Sequence, residues 1–190
     1  MAKSKIISSI VIAIGAMMLT GCSFFTSSPD STENDAWTNM PKALFIYIHY
    51  YGSGTEVVNY IDSAGNVYNM EVNKDEQLDL QGIYEKINVS KDKKIDKVDE
   101  EQLKSNYQLL LQIPRESVED KNLIYTESFN DVVLGYHEWY GVRYDKKVEL
   151  EYIILAGEGD TAIENQDEDA QKIASWLRGI LFNTKGISFN

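Results

Sequence analysis

Apolar residues along this chain fall into runs of two different periods. Ala43 to Tyr51 (ALFIYIHYY) is apolar, β-branched and aromatic, too short to establish a helical repeat, and predicts a well-buried strand. Gly52-Ser53-Gly54 then turns the chain. Glu56–Ile61 and Val67–Val72 flank Asp62-Ser63-Ala64-Gly65-Asn66, a hairpin loop in which Gly and Asn tolerate positive φ. Asn122–Phe129, Val132–Tyr144 and Val148–Ala156 predict three further strands, with Asp145-Lys146-Lys147 as the turn between the last two. In the last strand Val148, Leu150, Tyr152 and Ile154 alternate with Glu149 and Glu151, which puts the two acids on a solvated sheet face. Ser90–Lys97 shows no period and reads as charged loop, and Gly157-Glu158-Gly159-Asp160 is expected to end the sheet.

Three segments repeat at helical spacing instead. Asp79–Ile87 carries Leu80, Ile83, Tyr84 and Ile87, with Gly82 as a weak point. A second helix is expected from about Asp99, with acids in its first turn, Leu103, Tyr107, Leu110 and Leu111 on one face, and Pro114 as the stop. The clearest is C-terminal. Asp167, Glu168 and Asp169 favour its start, and Ala170, Ile173, Ala174, Leu177, Ile180 and Leu181 form one stripe. Strands and helices do not alternate regularly. The expected class is therefore α+β: a mainly antiparallel sheet of about five to six strands and two to three helices, the C-terminal amphipathic helix packed on the sheet.

The N-terminus follows another logic. Lys3 and Lys5 precede the apolar run Ile6–Leu19, which as a helix would reach about 21 Å, short of a hydrocarbon core of about 30 Å. A basic start, a short apolar core and small residues after it make a secretory signal. Its exit, Leu19-Thr20-Gly21-Cys22, resembles the lipobox of bacterial lipoproteins. The resemblance covers residues 1–22 and implies a diacylglyceryl group on the Cys22 thiol, cleavage after Gly21, and a membrane anchor facing outside the cytoplasm. Two acyl chains suffice for stable anchoring where one does not. Cys22 is the only cysteine, so no intramolecular disulfide and no cysteine-based zinc cluster can form. The organisation read from this is a signal over 1–21, a lipidated Cys22 with a flexible tether over 22–39, and one globular domain over 40–190. Within the tether Phe24, Phe25 and Trp37 stand out, the first two suited to a lipid interface and Trp37 to the start of the fold.

Composition narrows the function. At 43% hydrophobic and 11% aromatic residues the chain can bury a core. The net charge is −12, and removal of residues 1–21 takes away Lys3 and Lys5 and no acid, giving −14. That balance excludes a phosphate-neutralising nucleic-acid binder. It suits solubility, or steering toward a basic partner.

Tyr136-His137-Glu138-Trp139-Tyr140 carries the densest chemistry. On a strand His137 and Trp139 share one face, with Tyr136, Glu138 and Tyr140 on the other. Tyr47, His49 and Tyr51 likewise share a face opposite Leu44, Ile46 and Ile48. If the two strands are neighbours, Tyr47, His49, Tyr51, His137 and Trp139 form a candidate binding platform for a sugar ring or a peptide. The zincin motif fails, because Gly141 stands where the second His is needed. No local pattern selects a catalytic triad, Gly52-Ser53-Gly54 lacks nucleophile-elbow spacing, and no metal ligand set or cofactor loop is present. The Asp62 loop lacks the glycine and terminal glutamate of a calcium loop, and it reads as a tight turn. The sequence thus points to a non-catalytic binding or accessory module engaging an envelope protein or glycan. Two other classes stay open: an acidic immunity or inhibitor lipoprotein blocking a basic toxin or hydrolase, and an envelope hydrolase using Glu138 and His137.

Overall fold

The structure is a computed structural model, and it describes residues 39–51, 54–73, 76, 78–114, 122–127, 135–159 and 161–181. The expected signal over 1–21, Cys22, the expected tether with Phe24, Phe25 and Trp37, the expected turn at Gly52-Ser53, Asp160 and the side chain of Tyr51 lie outside the described residues. The elements are β1 (Ala43–Tyr51), β2 (Gly54–Asp62), β3 (Asn66–Glu71), α1 (Leu80–Val89), β4 (Lys93–Lys97), α2 (Glu100–Gln112), β5 (Leu123–Glu127), β6 (Tyr136–Tyr144), β7 (Leu150–Gly159), β8 (Thr161–Asn165) and α3 (Glu168–Leu181). Among the described residues all strands join one antiparallel sheet in the order β4-β3-β2-β1-β6-β7-β8-β5. The α+β class, the antiparallel sheet and the three helices among the described residues agree with the sequence pattern.

The sheet has eight strands, not five to six. The two extra strands are β4, inside the segment expected to be loop, and β8, beyond the expected end of the sheet. All five residues of β4 are exposed, so no burial alternation marks it; only pairing with β3 makes it a strand. Its lysines also suit an edge that should not recruit another chain. β8 is short, with Ile163 and Asn165 buried around exposed Glu164.

Helix ends are built from aspartates. Asp79 Oδ1 accepts from the Gly82 amide, Asp99 Oδ1 from Gln102, and Asp167 Oδ1 from Asp169 and Ala170, each satisfying donors that a first turn leaves open. Asp62 closes its own turn: Oδ1 accepts from the amides of Ala64 and Asn66, and Oδ2 from the Asn66 side chain. Gly65, at φ 78°, supplies the left-handed step that turn needs. The expected tight turn is the observed one.

Helices cover both faces of the sheet. On one face α1 lays Ile83, Tyr84 and Ile87 against Ile46, Ile48, Val58, Tyr60, Met70 and Val142. On the other, α2 and α3 pack together, with Phe45 edge-on to Trp176 at 5.3 Å. Gly141 lies beneath Leu110 of α2, where a Cβ would fall 2.3 Å from its Cδ1 and force a shift. Arg143 sits on the same face and is 7% exposed. Its Nη1 donates to the carbonyls of Leu110 and Ile113 at 2.7 Å, capping the end of α2, while Nε donates to Glu151 at 2.8 Å. Glu151 is thus tied down under α2 rather than solvated, because alternation assigns a face without telling what covers it. Val148 is not the first residue of a strand. It occupies the β6–β7 turn at φ 64° and is exposed.

Candidate functional site

β1 and β6 are direct neighbours, which places His49 opposite His137 and Tyr47 opposite Trp139. The two imidazoles stack with centroids 4.3 Å apart and 25° between planes. Tyr47 Oη and His137 Nδ1 are 2.7 Å apart, a hydrogen bond that joins two strands. One strand further, Glu158 of β7 is the register partner of His137, so His49, His137 and Glu158 form a row across three strands. Among the described residues no group of three or more His, Cys, Asp or Glu side chains is arranged to hold a metal ion.

Burial divides the predicted platform. Tyr47 and Trp139 are buried, at 5% and 2% exposure, whereas His49 and His137 are half-buried. Tyr47 packs on Trp139 at 5.4 Å, and the Arg178 guanidinium lies 5.3 Å from the Trp139 ring centroid. Arg178 Nε also meets Glu158 Oε1 at 2.6 Å. Trp139 is therefore a floor for Arg178 and Tyr47, and the two histidines are the members that reach the surface. Burial lowers the His137 pKa below the usual imidazole value, helped by neighbouring His49 and opposed by Glu158. Burial raises the Tyr47 hydroxyl, and Glu158 adds to that, so Tyr47 stays a neutral partner for His137.

The opposite face of the same strand pair holds Glu138. Glu138 is 5% exposed, and its carboxylate accepts from Tyr136 at 2.7 Å on Oε1 and from Tyr140 at 2.6 Å on Oε2. Tyr50 of β1 faces the same carboxylate and stacks on Tyr136 at 4.8 Å. Burial first, and the carboxylate second, raise the hydroxyls of Tyr50 and Tyr140; for Tyr136 burial is followed by its hydrogen bond to Glu138. Glu138 and His137 point to opposite faces of β6, so the sheet lies between them and they do not form one acid–base pair.

Gly135 opens β6 at φ 76°, and a Cβ there would fall 2.2 Å from the Tyr50 carbonyl oxygen. A side chain at that position would push β6 away from β1 at the level of both clusters. Sequence reasoning passed over Arg178 and Glu158. Arg178 follows Ala174 by four and Leu177 by one, so the apolar stripe of α3 already placed it at the border of the buried face. No known protein family, no curated protein and no solved structure matches the chain.

Proposed function

We propose that the chain is a bacterial lipoprotein held on the outer side of the membrane through Cys22, its acidic α+β domain a non-catalytic binding module for an envelope protein. The anchor rests on the lipobox resemblance of Leu19-Thr20-Gly21-Cys22. Among the described residues no helix is long and apolar enough to cross a membrane, which is compatible with a lipid anchor without arguing for one. The binding reading rests on one observation: His49 and His137 are a stacked, half-buried pair beside buried Tyr47 and Trp139 on one sheet face. The ring faces that a glycan would stack on are already used by Arg178 and Tyr47, which favours a protein partner over a sugar.

The inhibitor reading needs one acidic patch. Trp176 of α3 donates to Gln102 of α2, so the acidic start of α2 lies beside the late turns of α3 and away from the acidic start of α3. The acids of the two helices therefore do not pool, and the binding module stays the preferred reading.

Two experiments test it. Metabolic labelling with an alkyne fatty acid should mark the wild-type chain and leave Cys22→Ala unmarked; equal labelling of both would overturn the anchor. A photo-crosslinking residue in place of His137 or Glu158 should trap a protein adduct in intact cells that the same residue in place of Lys93 does not. Equal trapping at all three positions, or none, would remove the contact face.

A further inference from the structure

A cleft of about 250 Å³ opens between α3 and strands β7 and β8. Two alanines make the room: Ala174 of α3 and Ala156 of β7 are both buried and carry nothing beyond Cβ. Gln171, Ala174, Ser175 and Arg178 line it at helical spacing, so one face of α3 supplies about 10 Å of wall. On the strand side stands Glu164 of β8, the register partner of Ala156, which pairs in turn with Trp139. Both ends of the wall are fixed. At one, Gln171 Nε2 donates to the Asn165 carbonyl at 3.1 Å, and buried Asn165 donates through Nδ2 to the Ile154 carbonyl at 2.7 Å. At the other, the Arg178 guanidinium is held over Trp139 and against Glu158. Among the described residues no side-chain hydrogen bond or ion pair engages Glu164 or Ser175, and both are exposed.

We infer that this cleft takes one ring of a neutral polyhydroxyl compound, a sugar either free or within a glycan. The lining offers donors and acceptors together: the Arg178 guanidinium donates, the Glu164 carboxylate accepts, the Ser175 hydroxyl does both, and Gln171 adds a carbonyl oxygen. Neighbouring hydroxyls on a ring present the same mixture. Charge argues against the alternatives. An anion would meet Glu158 and Glu164 around a single Arg178, and an amine would meet Arg178 itself. β8 pairs with β7 on one side and β5 on the other, so its backbone is not an edge for an added strand. The volume lies below the roughly 300–1,000 Å³ of drug-sized ligands, which fits a single ring. Hydrogen bonds at the hydroxyls hold this sugar rather than stacking, so the covered faces of Trp139 do not bear on it. The cleft meets the contact face proposed above only at Arg178 and does not depend on it.

The test is an NMR titration of the full chain with glucose, galactose and N-acetylglucosamine, each also as a disaccharide, and with glycine as a zwitterionic control. Saturable shifts at Ala156, Gln171 and Ser175 are expected with at least one sugar. A disaccharide that binds more tightly than its monomer would assign the source to a glycan, and equal binding would assign it to a free sugar. Glu164→Ala should weaken binding by about tenfold or more, and Ser175→Ala by about fivefold, whereas Lys93→Ala on the far edge of the sheet should leave it unchanged. Glu164 and Ser175 are exposed, so both variants should keep the fold. No saturable shift with any sugar, a response to glycine alone, or an affinity unchanged in Glu164→Ala would overturn the site.

Discussion

Arg143 and Glu138 lie five positions apart on β6, and both are buried, yet the fold treats them differently. Arg143, under α2, finds a carboxylate and two helix-terminal carbonyls. Glu138, on the α1 face, finds only tyrosine hydroxyls. The first environment balances charge and ties a helix to the sheet, so Arg143 belongs to the architecture. The second satisfies hydrogen bonds without balancing charge. The kind of partner each one finds separates the two residues more sharply than burial does.

The largest effect that can break this contrast is at Arg143. Arg143→Met should keep most of the volume but leave Glu151 without its cation and the end of α2 without its cap. Breaking such a buried pair costs about 3–5 kcal/mol, which urea denaturation would read as a lower midpoint at unchanged slope. A loss under about 1 kcal/mol would mean that Arg143 is no better placed than a surface ion pair, and the contrast would fall.

A smaller loss is expected at Glu138. Gln is nearly isosteric, its carbonyl still accepts from one tyrosine, and its amide can donate to another phenol oxygen. No counter-ion on the protein is orphaned. Glu138→Gln should therefore cost about 1 kcal/mol, the scale of one ordinary hydrogen bond. If it matched Arg143→Met in the same denaturation series, Glu138 would be an architectural residue too.

How these residues could be read in advance depended on what each signal measures. β1 was legible because an unbroken apolar and aromatic run can only be buried. The helices were legible because their stripes repeat and their starts carry aspartate caps. β4 was not, since a strand with every side chain in water leaves no trace but its pairing. The stacking of His49 on His137 was legible only conditionally: alternation gave the faces, but nothing local makes β1 choose β6, 85 or more residues away along the chain, as its second neighbour. Glu151 was misplaced for a related reason. Alternation located its face correctly, and the covering of that face by α2 is a tertiary fact. Arg178 stood at the edge of a clear stripe, where a long cation can lie along apolar surface with its head free for Glu158.

The smallest expected effect is at His137, and it sharpens the comparison by asking whether the histidine face titrates. The fold lowers the His137 pKa below 6.5, so the unfolded chain takes up the proton first as pH falls. Stability should thus decline as pH drops through the ordinary imidazole range and level off below the folded value, with no His137 contribution above it. The groups facing His137 are Tyr47 and His49 from β1, Trp139 on its own strand and Glu158 from β7, with Arg178 of α3 bound to Glu158. Glu158 opposes the shift, so its loss should deepen the decline. Denaturation of wild type and His137→Gln between about pH 7.5 and pH 5.5 isolates the effect, because the carboxylates common to both cancel in the difference. The wild type should lose more stability than His137→Gln over that interval. Equal losses would place His137 in water in both states, and the surface of the contact face would then extend deeper than Trp139 and Tyr47 allow.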